Sequence, residues 1–317
     1  MKFISVVTPC FNEEGNVVEL YERVRAVLGS GVYRYEHIFI DNASTDKTLT
    51  LLKGIAGSDS RVKVIENQRN FGQIRSPHHA FMQAQGDAVI SLAGDLQDPP
   101  ELIRLFLERW ESGIPVVMGV KKSTEESWLF SRVRRTYYGL INRLADIQLV
   151  ENATGFGLYD KRFVDLVRSL KDPYPYTRGL VAEFGFETSL IPYDQPARKA
   201  GITSNNFLTL YDVAMTGITS HSKFPLRLAT IAGFSLSALS LAVGFIYLVL
   251  KLVFWYRYPA GIAPILIGLF VAFSIQLFFL GLLGEYIAVI HTRLMNRPLV
   301  VERERINFDE QPKVEAE

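Results

Sequence analysis

Phe3-Ile4-Ser5-Val6-Val7-Thr8-Pro9-Cys10-Phe11-Asn12-Glu13-Glu14 opens the chain with a short apolar run, a proline and a polar turn. Ile4 to Val7 reads as a buried strand that Pro9 brings to an end. The stretch that follows, residues 16–28, carries Val17, Leu20, Val24 and Val27 at helical spacing. The same unit then recurs. His37 to Ile40 is a strand, Asp41 to Asp46 a polar turn, and Thr48 to Ile55 a helix. Val62 to Ile65 is a strand followed by a helix over 73–85. Ala88 to Leu92 is a strand followed by Ala93-Gly94-Asp95 and a helix from Pro100 to Trp110, and Val116 to Gly119 is a fifth strand. Strands and helices that alternate at this spacing predict an α/β fold, a mostly parallel sheet flanked by helices. Such sheets bind ligands at the carboxyl ends of their strands. Asn12, Glu13, Asp41, Asp46, Asp95 and Gln97 all fall there.

Composition bounds the rest. Hydrophobic residues make up 48% of the 317 residues, and the mean hydropathy is +0.13. The apolar excess concentrates after Arg227. A net charge of +1 gives no global field for nucleic acid. A lone cysteine, Cys10, excludes a disulfide framework and a cysteine-rich metal site, and fits a reducing compartment. The apolar run at the N-terminus is too short for a signal peptide.

No charge interrupts residues 228–250, and none interrupts residues 258–284. Helices of that length reach roughly 35 to 40 Å, enough to cross a bilayer core of about 30 Å. The predicted spans are about 228–250 and 259–284, within a membrane segment 227–290. The short link between them holds Phe254, Trp255, Tyr256 and Tyr258, as an interface would. The two spans thus form a transmembrane hairpin. Lys223 and Arg227 precede it and Arg293, Arg297, Arg303 and Arg305 follow it, against Lys251 and Arg257 in the link. That bias puts the domain of residues 1–204 and the tail of residues 291–317 in the cytoplasm of a multi-pass inner-membrane protein. Residues 205–226 form a juxtamembrane segment whose amphipathic helix suits the interface and, equally, ordinary packing. From Asp309 the tail is acidic and is expected to be disordered. Gly233, Gly244, Gly268, Gly281 and Gly284 allow close helix contacts, which leaves room for a homo-oligomer.

Carboxylates at three strand ends suit a ligand held through a hard cation, since such ions take oxygen donors. Asp46 reads better as the cap of the helix at Thr48. His78 and His79 point apart on a helix and make a poor metal pair. Cys10 lacks a histidine partner nearby and makes a poor nucleophile.

Several segments carry a resemblance. Thr8-Pro9-Cys10-Phe11-Asn12-Glu13-Glu14 resembles the P-x-[YF]-N-E opening of glycosyltransferase family 2. Asp41-Asn42-Ala43-Ser44-Thr45-Asp46 resembles its D-D-G-S-x-D turn, and Arg69-Asn70-Phe71-Gly72-Gln73 its R-N-x-G segment. Asp95-Leu96-Gln97-Asp98-Pro99-Pro100-Glu101 matches the D-L-Q-D-P-P-E stretch of the polyisoprenyl-phosphate branch, the relatives of dolichyl-phosphate mannose synthase. The late spans look like those of the bactoprenol glucosyltransferase type. The resemblance implies a GT-A fold and transfer of a sugar from a nucleotide donor, a UDP-sugar by preference, to polyprenyl phosphate. By position it implies a nucleotide-sugar pocket of Pro9, Phe11, Asn12, Glu13, Asp41, Asn70, Gly72 and Gln73. Asp95 and Gln97 would reach a divalent cation, Mg²⁺ or Mn²⁺, and the diphosphate. Arg134, Arg135 and Arg198 would serve the reacting phosphates, and Arg198, Gly201, Thr203 and Ser204 the acceptor phosphate. For Arg134 and Arg135 a solvated helix face is an equal reading.

Three departures stand out. Ala93 replaces the first aspartate of D-x-D, which implies a weaker metal site. Asn42 replaces the second aspartate of the turn. Gly155 stands where the family has its proposed base, and Gly157 where it has an arginine. A phosphate acceptor is already largely ionised at neutral pH, so loss of a base need not silence it. A processive synthase is disfavoured by the lack of Q-x-x-R-W. A silent scaffold that keeps the fold, or a transferase with another acceptor, is the alternative. Two spans are too few for a lone flippase.

Overall fold

Among the described residues, eight strands share one sheet because their apolar residues alternate between two helical layers. The computed structural model describes residues 1–122, 153–170, 177–196, 224–254, 262–294 and 298–308. The strands are β1 (Phe3–Cys10), β2 (Arg34–Asp41), β3 (Val62–Asn67), β4 (Ala88–Ser91), β5 (Val116–Lys121), β6 (Ala153–Asp160), β7 (Thr188–Tyr193) and β8 (Glu302–Ile306). Their order in the sheet is β7-β5-β6-β4-β1-β2-β3-β8. β1 pairs in parallel with β2 and β4, β2 with β3, and β5 with β7. β6 and β8 run antiparallel to their neighbours. The sheet is therefore mostly parallel, as the alternation predicts.

The helices are α1 (Val17–Leu28), α2 (Thr48–Ser58), α3 (Gly72–Gln83), α4 (Ile103–Glu111), α5 (Lys161–Leu170) and α6 (Thr177–Phe184). A 3-10 turn, Pro100–Leu102, leads into α4. On one face Ile4, Val6 and Phe39 meet α1, α2 and α4 through Leu20, Leu52 and Phe106. On the other, Val7, Ile38 and Ile40 meet α3, α5 and α6 through Phe81, Phe163 and Leu180. Neighbouring residues of one strand serve opposite layers, as a two-residue period requires. Burial on both faces is why these strands read as continuous apolar runs.

Three strands, and also α5 and α6, lie outside the sequence expectation. β7 is half-buried to exposed until Tyr193, so no continuous apolar run marks it. β6 contains Gly155 and Gly157, which weaken any strand signal. Close packing dictates Gly157: a Cβ there would sit 2.5 Å from the Val117 carbonyl oxygen of β5. β8, Glu-Arg-Glu-Arg-Ile, falls within the expected tail, yet it pairs with β3 from Val64↔Ile306 to Asn67↔Glu302. Its charges suit an edge strand, which they protect from further pairing. Residues 309–317, where disorder is expected, lie outside the described residues.

The chain divides into two compact units, and of the described residues 224–254 and 262–294 belong to the second. Within it α7 (Phe224–Val253) and α8 (Ile262–Leu294) are long helices that touch each other. Their lengths come to about 45 and 50 Å at about 1.5 Å per residue. Phe234, Phe245, Phe273, Leu277 and Phe278 are exposed along them. In α8 the stretch Val271–Ala288 is long and apolar enough to cross a membrane. The expected juxtamembrane helix and most of the aromatic link lie outside the described residues.

Candidate active site

The turns after β1 and β2 are built as one piece. Asn12 adopts a left-handed backbone, φ 57°, a conformation that asparagine tolerates better than most residues. Its Oδ1 accepts the Thr45 N–H at 2.8 Å, and its own N–H donates to Ser44 Oγ at 2.9 Å. The Glu13 N–H donates to Thr48 Oγ1 at 2.8 Å, and the Glu14 N–H to Asp46 Oδ2 at 3.1 Å. Asp46 Oδ1 in turn accepts the Thr48 N–H and hydroxyl at 2.9 and 2.5 Å. Burial pushes the Asp46 carboxyl up, but the hydrogen bonds from Thr48 and Glu14 outweigh it and hold it below the usual range. Asp46, one residue before the N-cap Lys47, thus takes up the first N–H of α2 and clamps the two turns together.

Asp41 ends β2 and is fully buried. Its Oδ2 accepts the Ser44 N–H at 3.0 Å. Its Oδ1 has no hydrogen-bond partner among the described residues. Burial raises the carboxyl, and the Ser44 hydrogen bonds recover only part of that cost. A buried carboxylate oxygen left unmatched is expensive unless a ligand supplies a donor.

Asn42 accounts for its own departure from the family turn. Its Nδ2 donates to Asn70 Oδ1 at 2.9 Å and to the Gly72 carbonyl at 3.3 Å. Its Oδ1 accepts Asn67 Nδ2 at 3.0 Å and the Phe71 N–H at 2.9 Å. An aspartate could make the second pair of bonds but not the first. Asn67 also donates to Ser76 Oγ at 3.0 Å, so this amide hub ties β2 to the loop before α3 and to its first turns. Asn70 closes the loop by accepting the Gly72 N–H at 2.8 Å. Gln73 is exposed on the first turn of α3. Asn67 and Ser76 carry no family signature, and only the packed turn reveals their part.

The turn after β4 packs against the turn after β1. A Cβ on Gly94 would fall 2.9 Å from the Pro9 carbonyl oxygen, 3.3 Å from Cys10 Sγ and 3.6 Å from Glu13 Cγ. Only glycine permits that approach, and it packs the turn that carries Asp95 against Pro9 and Glu13. Asp95 Oδ1 accepts the Gln97 N–H at 3.2 Å, and Leu96 between them is left-handed at φ 57°. The other acids of this stretch are structural. Asp98 is buried and accepts the Tyr193 hydroxyl at the end of β7. Glu101 pairs with Arg23 of α1 at 2.6 Å. Phe11 lies exposed on the β1 turn.

Burial raises the Cys10 thiol, and the carboxylates of Asp41, Glu13 and Asp46 raise it further. A thiol so raised is no nucleophile. The same three carboxylates make the surroundings of Cys10 electronegative. His79 bonds Glu302 rather than pairing with His78. Gly155 is left-handed at φ 92°, just beyond the pair Ser91↔Gly157 at the site edge of the sheet. The backbone there disfavours any side chain. Both glycines in place of the family aspartate and arginine are thus matched to their backbone.

Among the described residues no group of three or more His, Cys, Asp or Glu gathers to hold a metal. Asp95 and Gln97, linked by the hydrogen bond between Asp95 Oδ1 and the Gln97 N–H, carry oxygen donors of the type hard cations take. Arg134, Arg135, Arg198, Gly201, Thr203 and Ser204 lie outside the described residues.

A family model described as Glycosyl transferase family 2 matches residues 5–167. An uncharacterized glycosyltransferase of Bacillus subtilis, YkcC, is 34% identical over 94% of this chain and 92% of its own. The SfII prophage-derived bactoprenol glucosyl transferase of Shigella flexneri is 32% identical over 93% of this chain and 96% of its own. Among solved structures, glucosyl-3-phosphoglycerate synthase from Mycobacterium tuberculosis aligns with TM-score 0.48 and 17% identity, over 69% of this chain and 78% of that one, too distant to carry a functional argument. The order of the four strand-end segments, the Asp95 turn set against the Glu13 turn, and relatives matched nearly end to end agree: this chain is a glycosyltransferase that belongs to glycosyl transferase family 2.

Proposed function

We propose that the chain transfers a sugar from a nucleotide donor, UDP-linked by preference, to polyprenyl phosphate at the cytoplasmic face of the inner membrane. The observation that carries this reading is the contact of the Gly94 turn, which carries Asp95, with Pro9 and Glu13, in the turn that is itself bonded to the one after Asp41. Relatives named bactoprenol glucosyl transferase, matched over 93% of this chain, support the acceptor class.

The chemistry suits the residues. Asp41 Oδ1, short of a donor, would accept an N–H or O–H of the base or ribose. Asp95 and Gln97 would hold the divalent cation. That ion, when bound, offsets negative charge on the departing diphosphate. An acceptor phosphate oxygen forms the new bond to the anomeric carbon. The bond from that carbon to the donor diphosphate breaks, and the nucleoside diphosphate leaves with the electron pair. The attack is in line, so the anomeric configuration inverts. A phosphate monoester is largely dianionic at pH 7, so no proton has to be removed. Gly155 in place of a base fits such a nucleophile. Arg134, Arg135 and Arg198 would position the two phosphate-bearing substrates. α7 and α8 would form the two-span hairpin that keeps the head at the lipid surface.

Ala93 and Gly155 also favour a second reading, a scaffold without catalysis. Membranes carrying the full chain, given a panel of nucleotide sugars and a short polyprenyl phosphate, separate the two. The transferase yields a lipid heavier by one sugar residue with one donor of the panel. No new lipid with any donor, together with no UDP binding by calorimetry, favours the scaffold.

A further inference from the structure

Arg75, His79 and Gln83 sit four residues apart on α3 and so share one face. All three meet the segment that follows α8. The Arg75 guanidinium donates to the Pro298 carbonyl at 2.6 Å. The His79 imidazole is hydrogen-bonded to Glu302. Gln83 Oε1 accepts from Arg305 at 3.1 Å, and Arg305 also donates to Glu302 Oε1 at 2.7 Å. His79 and Glu302 are largely buried, at 17% and 18% side-chain exposure, so their contact is poorly screened by water. Burial pushes the Glu302 carboxyl up, but its hydrogen bonds from His79 and Arg305 outweigh that and hold it at about 2.

The segment is fastened at both ends. The Gln68 N–H donates to the Val301 carbonyl at 2.9 Å. At the far end Asn307 Nδ2 donates to the Ala56 and Val62 carbonyls, each at 2.8 Å. What it holds is the start of α3 and the loop before it. These same residues carry the amide hub of Asn42, through Asn67, Asn70, Phe71, Gly72 and Ser76. The hub adjoins Asp41, the residue with a buried oxygen short of a donor.

Given the nucleotide site proposed above, we infer that the strand after the second long helix is a wall of that site, and that Glu302 is a positioning residue. It fixes α3, α3 fixes the loop of residues 68–72, and the loop sets nucleotide affinity. The nucleotide pocket is then complete only once the chain has returned from α8 and laid β8 on β3.

The test uses the full chain in detergent, with UDP and Mn²⁺ as the probe. Glu302→Gln should weaken UDP binding by about 2- to 30-fold, the range expected when coupling passes through intermediate residues. It should also quicken hydrogen exchange of the Phe71 and Gly72 amides before any ligand is added. Glu304→Gln, on the same strand, removes an exposed ion pair with Lys53 and should change neither. If Glu302→Gln does not fold, His79→Asn removes the same contact from α3 and leaves Glu302 with Arg305. Unchanged exchange and affinity in the variant overturn the inference and leave the donor assignment standing. A wild type that does not bind UDP overturns the donor assignment itself, and with it the claim that β8 tunes affinity.

Discussion

Asp41 bears a cost that a nucleotide would relieve. Its folded pKa lies above its unfolded one, so its contribution to stability is present below the unfolded value and is lost as pH rises through the folded one. At neutral pH the buried charge therefore opposes folding. Asp41→Asn keeps an acceptor for the Ser44 N–H and removes the charge. The account predicts a higher Tm for this variant, with the gap to wild type widening as pH rises above about 4. It also predicts that UDP binding is lost. Thermal scans across pH, paired with calorimetry, check both. Asn42 behaves oppositely. Asn42→Asp would face Asn70 Oδ1 and the Gly72 carbonyl with acceptors only, at a cost of about 1–3 kcal/mol. Denaturant unfolding of the variant should show that loss. Asn42 reads from sequence as a departure from a motif. Its logic appears only where β2, the α3 loop and Asn67 converge, which no local pattern encodes.

At the scale of elements, β1 to β5 were legible because they are apolar and largely buried. α1 to α4 were legible from their period and fall where it places them. β6, β7, β8, α5 and α6 were not. β6 takes its form from β4 and β5 on either side, and its glycines answer to β5 packing and a left-handed turn rather than to strand propensity. β8 reads as a charged tail because its charges find partners far away in sequence, at Lys53, Glu66 and His79. Two predictions belong here. Gly157→Ala places a Cβ against the Val117 carbonyl and should destabilise the chain by about 1–3 kcal/mol. Gly155→Asp, which restores the family residue, should not raise the transfer rate, since the φ of 92° strains the side chain and the acceptor needs no base. The β8 clamp has its own pH dependence. The folded pKa of Glu302 is depressed to about 2 from 4.5. Its stabilisation is present above the unfolded value and lost as pH falls from about 4.5 toward 2. Hydrogen exchange of the β8 amides should quicken across that window.

For the whole molecule, the strand-end segments lie together on one edge of the sheet, and one late helix is long and apolar enough to cross a membrane. The edge was legible because motif order along the chain maps onto neighbouring strands, β4-β1-β2-β3 in the sheet. The contact of Gly94 with the Glu13 turn was not, because it depends on the missing side chain of a residue outside every ligand-binding position. The central claim is that Asp95, held at that contact, supports sugar transfer to a lipid phosphate. The most direct measurement is lipid-product mass in membranes carrying wild type or Asp95→Ala, with the active nucleotide sugar and a short polyprenyl phosphate. The account predicts glycosylated lipid with wild type and almost none with the variant at equal expression and fold. Equal product from the two chains would contradict it.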